Sequence, residues 1–248
     1  MRRLERTNCA KLRPRSGHMV ERLEGRRLCS VTVSQGYPGY YTIEGDNAAN
    51  TISVSVNQNA RTFSLNGVMY GNVSYITVNG YDGNDFVTVA GSSGSIGCTI
   101  NEGNGNDSVS LNFDGAIYVG GGQNSVSLKD AFQGAVHTGD GPNQISISGN
   151  CANAVVYAGN GNNLIDASGN NYGVTIYAGG GNNTIYGSNY DDFISVGAGS
   201  NVICCLNGND TVYCRNGSAD TVIGGSGNDT VYGDSLDSVY NVQAVFLS

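Results

Sequence analysis

Gly224-Gly225-Ser226-Gly227-Asn228-Asp229-Thr230-Val231-Tyr232 sets the reading of the whole chain. It fits the nonapeptide G-G-x-G-x-D-x-U-x at every specified place, U being a large apolar residue. Looser copies around it bring Asp or Asn to the same slot at Asp192, Asn201, Asp210, Asp220, Asp229 and Asp237, spaced 9, 9, 10, 9 and 8 residues apart. A period this short holds one turn and one short strand. No copy can close a core alone, so each must stack on its neighbours. The expected fold is all-β: a parallel β-roll or β-solenoid of nonapeptide repeats, two strands per coil, with no substantial helix in the body.

Upstream the beat doubles. Working back from Asn183, the slot falls on Asn163, Asn143, Asn124, Asp107 and Asp85, at spacings of 20, 20, 19, 17 and 22 residues. Two turns and two strands make one coil, so one edge keeps the motif while the opposite edge drifts. Two places after each slot stands an apolar residue: Val87, Val109, Val126, Ile145, Ile165, Ile185, Ile203, Val222 and Val239. Ile194, Val212 and Val231 form the matching column on the other side. Columns of β-branched residues flanked by Ser and Thr are what period-two strands around a thin core require.

Composition agrees. The 248 residues include 38 Gly, 3 Pro and no Trp, and the glycines recur at turn positions rather than at a collagen period. Charge is divided sharply. Residues 1–30 carry nine basic residues and three acids, a net of +6, whereas residues 31–248 carry three basic residues and seventeen acids, a net of −14. An acidic body argues against a nucleic-acid partner and for cation-rich surroundings. No apolar run reaches transmembrane length, and none in the first thirty residues makes a signal-peptide core.

The repeats from Asp192 to Asp237 resemble the hemolysin-type calcium-binding repeats of RTX proteins. In that family, turn carbonyls and the Asp carboxylate of one repeat coordinate Ca²⁺ with the repeat two further on. The resemblance implies Ca²⁺ as cofactor, a hard cation that takes about six oxygens and tolerates carbonyl ligands. Carried onto this sequence, one edge stacks Asp192, Asp210 and Asp229; the other stacks Asn183, Asn201, Asp220 and Asp237. Asp85 and Asp107 form an isolated pair on that second edge. The best-supported site lies between the Asn207-Gly208-Asn209-Asp210 turn and the turn of Gly225, Gly227 and Asp229. Ser188, Tyr190 and Leu206 stand where the motif has glycine.

From Asn124 to Asn183 the slot is neutral. Asn offers an oxygen without charge, and the expectation there is a metal-free ladder of stacked amides. Six residues before these slots stand Tyr118, His137, Tyr157 and Tyr177, on the outer face by alternation; they read as a stacking column or as a carbohydrate or protein contact surface. Neither His18 nor His137 has a catalytic partner in sequence, and no Gly-x-Ser-x-Gly elbow or phosphate loop occurs, so an enzyme is not expected. The seven cysteines show no framework, and Cys98 reads as a small buried residue.

Leu23-Glu24-Gly25-Arg26-Arg27-Leu28-Cys29-Ser30 resembles the L-E-x-R-x-L-L-S motif near the N-terminus of many predicted extracellular proteins of planctomycete bacteria, with Cys29 in place of the second leucine. That resemblance implies secretion or surface display. The expected organisation is a basic leader (1–30), an irregular lead-in with a hairpin at Asn66-Gly67 (31–75), an Asn-rich solenoid (76–190), calcium-type repeats (191–240) and a capping strand (241–248). The expected role is structural or adhesive, with calcium, cell-surface polysaccharide or envelope proteins as partners. The alternative is a carbohydrate-binding or carbohydrate-active solenoid using the aromatic face.

Overall fold

The computed structural model describes residues 31–92, 94–130 and 132–247; the leader motif lies outside them. Among the described residues all regular structure is strand, arranged as two twelve-stranded sheets. From Tyr75–Tyr81 onward, consecutive strands alternate between the sheets, and each pairs in parallel with the strand one coil away. This is the two-strand coil that the doubled spacing demands.

The register is the one set by the apolar columns. In one sheet Ile52, Val87, Val109, Val126, Ile145, Ile165, Ile185, Ile203, Val222 and Val239 are successive Cα partners. In the other, Ile117, Val136, Val156, Ile176, Ile194, Val212 and Val231 form one unbroken column, which extends the column of Ile194, Val212 and Val231 toward the N-terminus. All of them are buried except Val239, which is half-buried and packs against the core. A slip of one residue would turn every column outward, which fixes the register strongly.

The N-terminal edge of each sheet departs from the parallel rule. Thr32–Gln35 runs antiparallel to Tyr40–Glu44, and Thr62–Leu65 runs antiparallel to Thr51–Asn57. Val68–Tyr70 completes a hairpin on Thr62–Leu65, where Asn66 and Gly67 have φ of 51° and 78°. Positive φ at both central residues is the tight hairpin geometry that Asn-Gly favours. At the far end, Ala244–Leu247 adds in parallel to Thr230–Gly233.

Turns supply the remaining constraint. The glycine two places before each slot, from Gly83 to Gly227, has positive φ wherever the motif is kept. A Cβ at Gly161 would lie against the Gly141 carbonyl, and one at Gly227 against the Gly208 carbonyl. Both the backbone region and the coil spacing therefore require glycine there.

Candidate metal centres on the turn ladders

Each slot residue sits immediately before a strand. From Asp85 onward its side-chain Oδ1 accepts the backbone N–H at the same position one coil nearer the N-terminus, except at Asn143, whose Oδ1 accepts the side-chain amide of Asn124 (2.9 Å). On one edge these bonds run Asn50 to Asp85 (2.7 Å), Asp85 to Asp107 (2.9 Å), Asp107 to Asn124 (3.0 Å), Asn143 to Asn163 (3.1 Å), Asn163 to Asn183 (3.1 Å), Asn183 to Asn201 (3.0 Å), Asn201 to Asp220 (2.7 Å) and Asp220 to Asp237 (2.9 Å). On the other they run Val174 to Asp192 (2.8 Å), Asp192 to Asp210 (2.8 Å) and Asp210 to Asp229 (3.0 Å), ending where Asp229 donates to Gln243 Oε1 (2.7 Å). The two edges are those assigned from sequence. Oδ1 thus satisfies a buried donor that strand pairing cannot reach.

Asn and Asp differ only in the second atom. The Nδ2 of Asn163 donates to the carbonyls of Gly159 (2.9 Å) and Gly161 (3.1 Å) and to Asn183 Oδ1 (2.9 Å). Asn143, Asn183 and Asn201 repeat this set four and two places back and one coil on. The Asn ladder is real, and it includes the turn carbonyls as well as the amides. By position the same carbonyls belong to Gly225 and Gly227 ahead of Asp229, and to Leu206 and Gly208 ahead of Asp210. There the second atom is an oxygen that cannot donate.

The consequence is visible in the carboxylates. Oδ2 of Asp210 and Oδ2 of Asp229 are buried with no hydrogen-bond partner, and the two residues are 1% and 2% exposed. Burial, reinforced by the charges of Asp192 and Asp229, pushes the Asp210 carboxyl up to about 8. A buried charge without a partner is costly, so these carboxylates require a cation or a proton. The donor set fits Ca²⁺: carboxylate oxygens beside glycine-rich turns, with no nitrogen or sulfur required.

The other predicted ligands are placed differently. Asp192 has both oxygens occupied: Ser188 donates its N–H to Oδ2 (2.7 Å) and its hydroxyl to Oδ1 (2.9 Å). Burial still raises its carboxyl to about 6. Asp220 Oδ2 accepts the Asn216 amide (2.7 Å), and Asp237 Oδ2 accepts the Asp234 N–H (2.7 Å). Cys214 Sγ and carboxylate oxygens of Asp220 and Asp237 lie within 4.8 Å of one another, a juxtaposition hidden in the sequence. Asn207 and Asn209 are exposed, with side chains bonding along the outside to Asn189 and to the Asn228 N–H; only their backbone could face an ion. Asp85 and Asp107 are stacked as expected, each 2% exposed with Oδ2 unpartnered.

Outside the turns, Tyr118, His137, Tyr157 and Tyr177 stack at 4.5–5.1 Å with ring planes within 10°. Phe193 links them to Tyr213, Tyr232 and Phe246, so the aromatic run continues to the last strand. Phe193 does this because Ser195 holds the Tyr177 register position in its coil, leaving a gap that a ring two places earlier fills. In the well-aligned parts ring faces cover one another and edges meet solvent, which suits cross-strand stabilisation better than stacking on a sugar ring. Cys98 is fully buried, and the described cysteines are free thiols. No helix among the described residues is long and apolar enough to cross a membrane.

Fold and turn chemistry together define a parallel β-roll with nonapeptide turns of calcium-binding type. Residues 177–212 and 216–237 match the RTX calcium-binding nonapeptide repeat in four copies, and calcium is the ion that this repeat binds. The match spans the last fully Asn coil and the Asp turns up to Asp237, a minority of the chain. No curated protein and no solved structure matches.

Proposed function

We propose that this chain is an exported calcium-dependent β-roll with a structural or adhesive role, whose principal ion site lies between the turns preceding Asp210 and Asp229. One observation carries the reading: two stacked, buried carboxylates each leave Oδ2 without a partner, in the coils that match the calcium-binding repeat. A bound ion supplies the positive charge that the Asn amides supply elsewhere as N–H dipoles. Gly225, Gly227, Leu206 and Gly208 are the turn residues positioned to add carbonyl oxygens. Because ion binding requires the ordered turns, its free energy adds to the stability of those coils.

The export reading draws on the same chemistry. A roll with bare buried carboxylates is least stable where calcium is scarce, and sites of extracellular modules work at about 10⁻⁴–10⁻³ M. The acidic body and the leader resemblance point the same way. Titrating the purified chain with calcium, followed by circular dichroism and calorimetry, tests the site. Wild type should gain β signal and release or absorb heat, and both Asp210→Asn and Asp229→Asn should lose most of that response. A chain fully folded in chelator and silent to calcium would refute it.

A further inference from the structure

Outside the matched repeats, the structure brings three acids together near the start of the roll. Asp85 and Asp107 stack as slot residues, and Glu102, at the end of the strand Gly97–Glu102, lies close enough to feel the charges of both. Glu102 stands five places before Asp107, where the nonapeptide has its first glycine. It is 6% exposed, and neither carboxylate oxygen has a hydrogen-bond partner. Its direction is fixed by the coil below. A Cβ at Gly80 would overlap Glu102 Oε2 and lie 2.9 Å from Asp85 Oδ2. Glycine at 80 is what leaves room for this side chain, so the departure in one coil is accommodated by the neighbouring one.

Four buried carboxylate oxygens are therefore unsatisfied in one turn region: Oδ2 of Asp85, both oxygens of Glu102 and Oδ2 of Asp107. The charges acting on these groups are Asp46, Asp82 and one another, all acidic. One proton shared between two carboxylates would satisfy two oxygens and leave two bare. A hard cation that takes about 6–8 oxygens can engage all four, with backbone carbonyls or water completing its shell. The set contains no sulfur or nitrogen, which disfavours zinc and copper.

We propose that Asp85, Glu102 and Asp107 form a second, independent divalent-cation site, occupied by calcium, that locks the N-terminal coils. Unlike the turns ahead of Asp210 and Asp229, where Cys205 and Gly224 hold the position of the motif's first glycine, it has a carboxylate there and carries three negative charges. It rests on these three residues and not on the repeat match.

The test uses the full chain carrying Asp210→Asn and Asp229→Asn, titrated with calcium and with terbium, with hydrogen exchange read segment by segment. Calcium should slow exchange across residues 76–111. Glu102→Gln should weaken the affinity on the order of tenfold or more, since ligand charge sets calcium affinity. Glu102→Gly, which restores the motif, should fold and lose the same response. Should the double variant fold poorly, the wild-type chain serves: residues 76–111 and residues 190–240 report separately, so failure of either site is seen on its own. Exchange in 76–111 that ignores calcium, or an affinity unchanged in Glu102→Gln, would overturn the proposal.

Discussion

The Asn coils between residues 120 and 183 and the Asp coils around 210 and 229 share one backbone plan and differ by one atom per slot. In both, Oδ1 caps the N–H of the preceding coil. In the Asn coils, Nδ2 then gathers two turn carbonyls and the next amide oxygen. In the Asp coils an unpartnered oxygen takes that place. The comparison teaches that a repeat can keep its geometry while changing what completes it: an internal amide in one region, an external cation in the other. Metal dependence is then a local property of coils rather than of the fold.

The largest break in that comparison comes from moving the Asp chemistry into the Asn ladder. Asn163→Asp removes three donated hydrogen bonds and buries a charge beside two carbonyls. It should cost about 3 kcal/mol or more in chelator, with calcium recovering part of the loss. Urea unfolding with and without calcium measures this, and a neutral effect in chelator would mean that the amide is dispensable.

A smaller, graded effect is expected from pH. In the calcium-free chain Asp210 is raised from 3.8 to about 8 and Glu102 from 4.5 to about 9, in each case first by burial and then by neighbouring carboxylates. The folded state then holds protons that the unfolded state has released. Its stability should be fully present below the unfolded values and be lost as pH rises through the folded ones. With calcium the trend should weaken or reverse, since the ion needs the ionised form. Thermal melts across pH 4–9 in chelator and in calcium distinguish the two; parallel curves would contradict the assignment.

How much of this was legible in the chain follows from what each feature depends on. Sheet register was readable because it rests on side-chain alternation, and the columns from Val87 to Val239 and from Ile194 to Val231 form as expected. The Asn-Gly hairpin was readable because positive φ at both positions has few sequence solutions. The division among acidic slots was not. Whether an Asp is open or occupied depends on neighbours outside the pattern: Ser188 fills the shell of Asp192, Asn216 that of Asp220, and the Asp234 N–H that of Asp237. Glu102 escaped notice because the pattern counts slot residues, although an acid in a glycine position was the available signal. The offset between Asn207 and Asn209 and the turn carbonyls of Leu206 and Gly208 reflects the same limit, since spacing does not say which peptide groups face inward.

The smallest expected effect belongs to the outer face. Tyr157→Ala removes the ring between His137 and Tyr177 and should cost about 1 kcal/mol, equally with and without calcium. Denaturant midpoints read it, and a calcium-dependent loss would tie the aromatic run to the turns.

Hydrogen exchange of the full chain in calcium and in chelator tests the division between coils most directly. Chelation should release protection across residues 190–240 while leaving residues 120–183 almost unchanged, because the latter carry their own donors. Uniform loss across both regions, or no loss in either, would contradict the account.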